Sequence, residues 1–469
     1  MTSDAIALPA PVTRATGKPG RAWWPGPYVV AGGLFLVYLV LSIGRFRRME
    51  WASWDLGIFE QAIRAYAHLQ APVADLKGPG ANILGDHFSP IIAAVAPVYR
   101  VFPGPVTLLV VQAALFAVSA VPVTRAAGRL LGRPRGIAVG VAYGLFWGIQ
   151  RAVEFDFHEI AFAVPLIAFA LEALLAGRWW AALLWGLPLV LVKEDLGFTL
   201  AALAVVVAWR ARTTDRRTAW TALAVAAAAA VFAVLVFTVF IPAFATAGYG
   251  YWDKIHGAGP LDGLGTKLTT LTWVLLPTSG LLALRSPLLL VAAPTLGWRF
   301  LSGDDHYWST DWHYSAVLMP VVALALVDAV DTLRRGERPW LRSYALNMPT
   351  AVLAASLALA ATSMPTAKLV EAKTYEKPAR VTAIEHLLDT IPDGATVEAD
   401  TGPLTRLTSR CRVLWIGGSK GVVPDWITID NGSKWAGQDP TGYATQLHPG
   451  ERYALVGEAE GVVLMRRVH

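Results

Sequence analysis

Long apolar runs and short polar breaks alternate through the first 365 residues. The runs lie near 28–44, 106–124, 136–149, 160–176, 179–192, 196–209, 219–242, 270–284, 287–298, 314–333 and 345–363. A helix that crosses a bilayer needs about 20 residues. The pairs 179–192/196–209 and 270–284/287–298 fall short of that length. Each reads as two short tilted helices or as one re-entrant unit, an arrangement tolerated where broken helices line protein or water. The pattern predicts an α-helical polytopic membrane domain over 28–365, with about 11 transmembrane or re-entrant helices.

The period changes at 366. An amphipathic helix is expected over Arg380 to Ile391, stopped by Pro392-Asp393-Gly394. Alternating segments then predict strands at Thr396–Ala399, Arg412–Ile416, Trp426–Ile429, Tyr453–Val456 and Val462–Met465. Residues 366–469 therefore read as a small soluble α/β domain. Neither G-x-G-x-x-G nor G-x-x-x-x-G-K-[ST] occurs in it, so nucleotide binding has no support.

Composition agrees with a membrane protein that carries a soluble part. Of 469 residues, 55% are hydrophobic and 16% charged, against roughly 25% charged in soluble domains. The formal net charge of +6 calls for no nucleic acid, because basic loops on the cytoplasmic side account for it. The single cysteine, Cys411, excludes an intrachain disulfide and reads as a small core residue. Residues 1–26 lack the charge pattern and cleavage site of a signal peptide. The run from Tyr28 to Gly44, preceded by Trp23-Trp24, reads as a signal-anchor helix, with 1–27 as a cytoplasmic tail.

Charge assigns the two sides. Arg125, Arg129, Arg133, Arg135, Arg178, Arg210, Arg212, Arg216, Arg217, Arg334, Arg335, Arg338 and Arg342 fall on one side if segments alternate. The positive-inside rule makes that side cytoplasmic and places the C-terminal domain outside. Arg45, Arg47 and Arg48 oppose the scheme. They sit outside the first helix and balance Arg14, Lys18 and Arg21 inside it.

The acids and histidines gather at the outer boundary. Lys193-Glu194-Asp195 interrupts an apolar stretch, and a charge near the bilayer centre costs roughly 2.5–3.5 kcal/mol on insertion scales. The group reads either as a solvated turn or as part of a functional site. Asp55 follows Trp54 at the start of a helical stretch that includes Glu60; it can cap that helix, act chemically, or do both. Asp86 and His87 precede another apolar run. In Glu154-Phe155-Asp156-Phe157-His158-Glu159, alternation places Glu154, Asp156 and His158 on one face of an extended chain. Carboxylate and imidazole ligands suit Mg, Mn or Zn, and His87, Asp156, His158 and Asp195 are the candidates. No H-E-x-x-H spacing supports them. Arg299, His313 and Tyr314 lie among aromatics that suit sugar stacking or an interfacial belt.

The ordered runs W-D-L-G-I-F-E-Q, D-H-F-S-P, F-D-F-H-E, K-E-D-L-G and H-Y-S resemble a group of bacterial multi-pass membrane proteins defined as a domain of unknown function. That group in turn resembles the GT-C class of membrane glycosyltransferases. The resemblance implies a polyprenyl-phosphate sugar donor, a cell-envelope glycan or lipid acceptor, and a catalytic acid in the first outer loop. On that footing Asp55 is the candidate base, with Glu194 and Asp156 beside it. Lys193, Arg299, His313, Glu60 and Tyr314 are the candidates for binding substrate, with the Arg45–Arg48 group as a further phosphate holder. Two other classes fit the pattern: a transporter or flippase of a lipid-linked sugar, and a non-catalytic scaffold in cell-envelope assembly. Against transport stands the concentration of acids at one face, without two similar halves.

Overall fold

Helix α1 (Gly26–Arg47) meets the bundle along the buried positions Val30, Leu34, Tyr38 and Leu41, spaced three and four apart as one helical face requires. The structure, a computed structural model, describes residues 24–50, 54–245, 259, 261–430 and 439–468. The expectations for residues 1–23, including Trp23, Arg14, Lys18 and Arg21, and for most of the 243–269 loop lie outside the described residues.

A short helix α2 (Asp55–Ala67) follows, then α3 (Ala96–Val101), α4 (Pro105–Leu131), α5 (Arg133–Gly144), α6 (Trp147–Glu154) and α7 (Ile160–Leu175). α4 is the hub and packs against α1, α5 and α7. Next come α8 (Trp179–Gly186), α9 (Leu196–Ala211) and α10 (Arg216–Leu235), the last two lying side by side. Helix 318–333 runs through the middle. Every residue from Leu318 to Val330 is buried, which is why its sequence shows no polar face.

The expected number of crossings is corrected. Among the described residues four helices are long and apolar enough to span a membrane: Gly26–Arg47, Pro105–Leu131, Arg216–Phe244 and Pro339–Thr362. A fifth results if α5 and α6, bent by 42° at their junction, form one span. Pro90–Val101, Ile160–Leu175, Trp179–Leu191, Leu196–Ala211 and Pro287–Leu301 are apolar but shorter. Burial explains the shortness of Ile160–Leu175 and Leu196–Ala211, most of whose residues are covered. Helices shielded by neighbours need not match the thickness of the hydrocarbon layer.

The tail forms a five-stranded sheet in the order β2-β1-β3-β5-β4, from β1 (Thr396–Ala399), β2 (Arg412–Trp415), β3 (Trp426–Asp430), β4 (Arg452–Ala459) and β5 (Val462–Val468). β2, β1 and β3 are parallel, and β5 pairs antiparallel to both β3 and β4. All five strands occur where alternation places them. The helix expected to reach Ile391 ends at Leu388. Two short helices, Thr401–Leu407 and Pro440–Leu447, were not anticipated, although Asp400 and Asp439 cap their first amides in the way aspartate commonly does. Cys411 is buried, as its type suggests.

This sheet module and α2 share one core. Leu56, Phe59 and Ile63 of α2 pack with Leu388, Leu404, Val413 and Leu464. Polar contacts fix the register. Gln61 Nε2 donates to Val413 O at 2.8 Å and its Oε1 accepts from Leu76 N at 3.1 Å. Arg64 Nη1 donates to the carbonyls of Thr408 and Cys411, both at 3.0 Å. Gly57 lies at the contact. A Cβ there would stand 2.6 Å from Leu404 Cδ1 and 2.8 Å from Leu76 Cδ1, and both leucines are buried. Gly57→Ala is therefore expected to lower stability by about 1–3 kcal/mol of overpacking, offset by up to about 1 kcal/mol of helix propensity. A fall in melting temperature in detergent checks this.

Candidate functional site

A cavity of about 950 Å³ opens at one end of the bundle. Its polar wall comes from chain segments far apart in sequence: Asp55 from α2, Lys77, Asp86 and His87 from the loop before α3, His158 from the segment before α7, and Lys193, Glu194 and Asp195 from the turn before α9. Trp54, Trp298, Tyr307 and Tyr314 add aromatic faces. Phe198, Val234, Phe237 and Leu301 make an apolar side. There α10 passes into a π-turn at Val236–Phe240, a distortion that often marks functional sites.

Trp54 is the N-cap residue of α2, and its side chain makes no capping hydrogen bond. Asp55 is the first helical residue instead. The capping role weighed for it is not what positions it, although a carboxylate in the first turn is favoured by the helix dipole. Edge contact between Trp54 and Trp415 of β2, with ring centroids 4.6 Å apart, ties this end of α2 to the sheet module.

The turn between residues 192 and 196 is held by ion pairs. Lys193 Nζ lies 2.9 Å from Glu159 Oε1, and Glu159 is fully buried. Glu194 bridges to the 83–89 loop. Its Oε1 is 2.7 Å from His87 Nδ1 and its Oε2 accepts from Phe88 N at 3.1 Å. Burial and the Lys193 ammonium oppose a charge on His87, but Glu194 and Asp86 outweigh them and raise its pKa. Asp86 in turn pairs with Lys77 at 3.0 Å. Burial pushes Asp195 up to about 6 against the pull of Lys193. Its Oδ2 accepts from Trp298 Nε1 at 2.8 Å, while Oδ1 is buried without a partner. The cavity thus combines several carboxylates with two lysines already oriented by acids.

Some sequence candidates lie elsewhere. Asp156 is in a separate small cleft with Arg45, Glu154 and Phe155, while His158 lines the cavity; the chain leaves a helix at Glu154 and does not keep the alternation of one extended face. Glu154 shares that cleft and pairs with Arg45 at 3.1 Å and Lys368 at 2.8 Å. This accounts for two of the three outer arginines: Arg45 answers Glu154, and Arg48 binds Glu50 and the Thr374 carbonyl. Arg299 is buried behind the wall. Its Nε, Nη1 and Nη2 donate to Tyr307 O, Ser315 Oγ and Ser309 O at 2.8, 3.1 and 2.8 Å. It staples the 302–317 segment and leaves the cavity to Tyr307 and Tyr314. His313 is also buried and stacks on His158, with centroids 3.7 Å apart.

Glu60 faces away from the cavity. It accepts from Tyr99 Oη at 2.9 Å and from Thr408 Oγ1, so it joins α2 to α3 and the sheet module. Burial raises its pKa to about 7 despite both hydroxyls. The folded protein then holds a proton that the unfolded chain releases near pH 4.5, and stability falls as pH rises from about 4.5 to about 7. Glu60→Gln is expected to flatten that dependence. Glu60→Leu leaves two buried hydroxyls unpaired, at a cost of roughly 1–3 kcal/mol. Melting curves of the three proteins across that pH range check both expectations.

The four proposed cation ligands do not converge as a set. His87 is engaged by Glu194, one oxygen of Asp195 by Trp298, and Asp156 lies in the other cleft. Among the described residues, the group whose ligand atoms lie within 4.8 Å of one another is Asp304, Asp305 and His306. His306 Nδ1 sits there 2.8 Å from Asp304 and 3.2 Å from Asp305. Of the residues that matter most, sequence reasoning gave no role to Lys77, Glu159 or Trp415. For Glu159 the signal was present: an acid directly abutting the apolar start of α7.

The fold is shared with solved structures at low sequence identity. ArnT from Cupriavidus metallidurans bound to undecaprenyl phosphate aligns with a TM-score of 0.56 and 13% identity, over 94% of this chain and 98% of that one. The apo state of the same protein gives 0.54 and 12%, over 94% and 97%. An Archaeoglobus fulgidus oligosaccharyltransferase tethered to an acceptor peptide gives 0.43 and 13%, over 86% and 69%. The architecture is that of a GT-C-like membrane fold with a small C-terminal sheet. No curated protein matches the sequence. Residues 45–464 match the family described as "Predicted membrane protein (DUF2079)", and the chain belongs to that family.

Proposed function

We propose that the protein is a membrane glycosyltransferase that moves a sugar from a polyprenyl-phosphate donor to a cell-envelope acceptor. One observation carries this reading. A single cavity joins a carboxylate-rich polar wall, two lysines, aromatic faces and an apolar side. A lipid-linked sugar has the matching parts: a glycan for the aromatics, a phosphate for the lysines and an isoprenoid chain for the apolar side. The fold likeness to a protein crystallised with undecaprenyl phosphate supports the donor class.

In the proposed step Asp55 takes the proton of an acceptor hydroxyl. The acceptor oxygen attacks the anomeric carbon, the bond from that carbon to the phosphate oxygen breaks, and the lipid phosphate departs with the electron pair. Lys193, held by Glu159, and Lys77, held by Asp86, lie on the wall where that charge develops. Aromatic faces at Trp54, Trp298 and Tyr314 offer stacking for the sugar. Because the cation candidates do not converge, no step is routed through a metal.

The cavity occupies the end of the bundle opposite the arginine-rich helix ends. By the positive-inside rule it opens outside the cell, with the sheet module on the same side and the N-terminus within. Purified protein in lipid with radiolabelled polyprenyl-phosphate sugars tests the activity. Transfer of label to an acceptor supports it. Passage of intact donor across liposomes, with its covalent linkage unchanged, overturns it in favour of a flippase.

A further inference from the structure

The far end of α7 carries a second constellation that the proposed reaction does not use. Glu172 is 13 residues beyond Glu159, about 20 Å along the helix at 1.5 Å per residue. Its carboxylate is buried, and three guanidinium groups surround it. Arg125 Nε and Nη2 grip its two oxygens at 3.0 and 2.6 Å. Arg129 Nη1 lies 3.2 Å from Oε1 and Arg178 Nη2 lies 3.2 Å from Oε2.

The convergence of guanidinium groups singles this place out. Elsewhere at this end of the bundle Arg210 pairs with Asp328, and Arg334 and Arg335 share Asp331. Arg334 also donates to Leu130 O at 3.0 Å, which puts the ends of helix 318–333 and α4 at one level. Around Glu172 three guanidinium groups meet on one buried carboxylate. Two of the three remain open to the surroundings, with Arg125 40% and Arg178 55% exposed. Arg125 is also pinned over the Phe169 ring at 5.8 Å, and that ring stacks on Trp185 at 4.6 Å. Arg178 directly precedes Trp179 and the exposed Trp180, residues typical of the membrane interface. Arg178 uses one of its five N–H donors on Glu172.

We infer that Arg125, Arg129 and Arg178 form a binding site for the phosphate of an anionic phospholipid in the leaflet opposite the cavity. Glu172 acts as the buried hub that orients the forks. Guanidinium groups fit phosphate oxygens in pairs, and a basic cluster at a membrane surface attracts acidic lipids. The occupant is a lipid rather than a soluble anion because the aromatic surround places the open donors at headgroup depth.

Native mass spectrometry in detergent tests this on the full chain, titrated with dioleoyl phosphatidylglycerol or dioleoyl phosphatidylcholine. The wild type is expected to retain phosphatidylglycerol preferentially. Arg178→Gln, at an exposed position where folding is not at stake, is expected to weaken that retention about fivefold. Arg125→Gln/Arg178→Gln is expected to remove the preference. Arg217→Gln, an exposed arginine outside the cluster, is expected to leave it unchanged. Equal retention of both lipids by the wild type overturns the proposal. So does an Arg178→Gln protein, melting like the wild type, that binds phosphatidylglycerol as well as the wild type does. Displacement of the lipid by an equal concentration of inorganic phosphate overturns it too, by showing a site for free anions.

Discussion

Asp55→Asn is expected to lower sugar transfer by roughly 10²–10⁴-fold, the range associated with a positioned general base, while leaving donor binding and the melting temperature close to those of the wild type. The substitution keeps size and polarity and removes only the capacity to accept a proton. Asp55 sits at the cavity wall on the first turn of α2. Asp195→Asn provides the internal comparison. Burial lifts that carboxyl to about 6, which also suits a proton acceptor near neutral pH. Turnover that survives Asp55→Asn and disappears in Asp195→Asn moves the base to the 192–196 turn. Loss in Asp55→Asn alone keeps it on α2.

Lys193→Met is expected to destabilise the protein by about 3–5 kcal/mol, as breaking a buried ion pair commonly does. The lysine lies 2.9 Å from Glu159, which is buried, and among the described residues the other group paired with it is His158. Removing Nζ strands that carboxylate beside His158. Glu159→Gln in the same chain is expected to restore much of the stability, because a neutral amide needs no counter-charge. It is not expected to restore turnover. Thermal melts of the two singles and the double form the cycle that separates the pair from its surroundings. Additive losses in the double would sink the pairing.

The legibility of this chain followed the kind of interaction at stake. Strand positions were readable because alternation and β-branched residues are local, and β1 through β5 occur where the pattern puts them. Helix ends were less readable: α4 runs on to Leu131 past the expected 124, and the helix expected from 345 begins at Pro339. The number of full crossings was not readable. Apolar length alone does not distinguish a helix facing lipid from one such as 318–333 that faces other helices on every side. The site was half readable. Acids at the ends of apolar runs pointed to Asp55, His87, Glu194 and Asp195, which meet in one cavity. Arg299 and His313 carried the same signal and turn out to be buried behind it, because nothing in their neighbourhood reveals that Arg299 finds Tyr307 O, Ser309 O and Ser315 Oγ as partners. Asp156 and His158 were grouped by a two-residue alternation that needs an extended run, and the segment leaving the helix at Glu154 does not keep it. Lys77 escaped notice because its partner, Asp86, lies beyond a loop.

The common core of α2 and the sheet bears on how the polypeptide can be divided. Ending translation after the last long apolar helix would strip Leu404, Val413 and Leu464 from one side of the amphipathic segment 55–67 and leave Gln61 and Arg64 without their acceptors. A separately expressed tail would likewise present the opposite half of that interior to water. Neither fragment is a self-sufficient unit, so the proposed base at the head of the segment owes its placement to residues made 352 positions beyond Gln61.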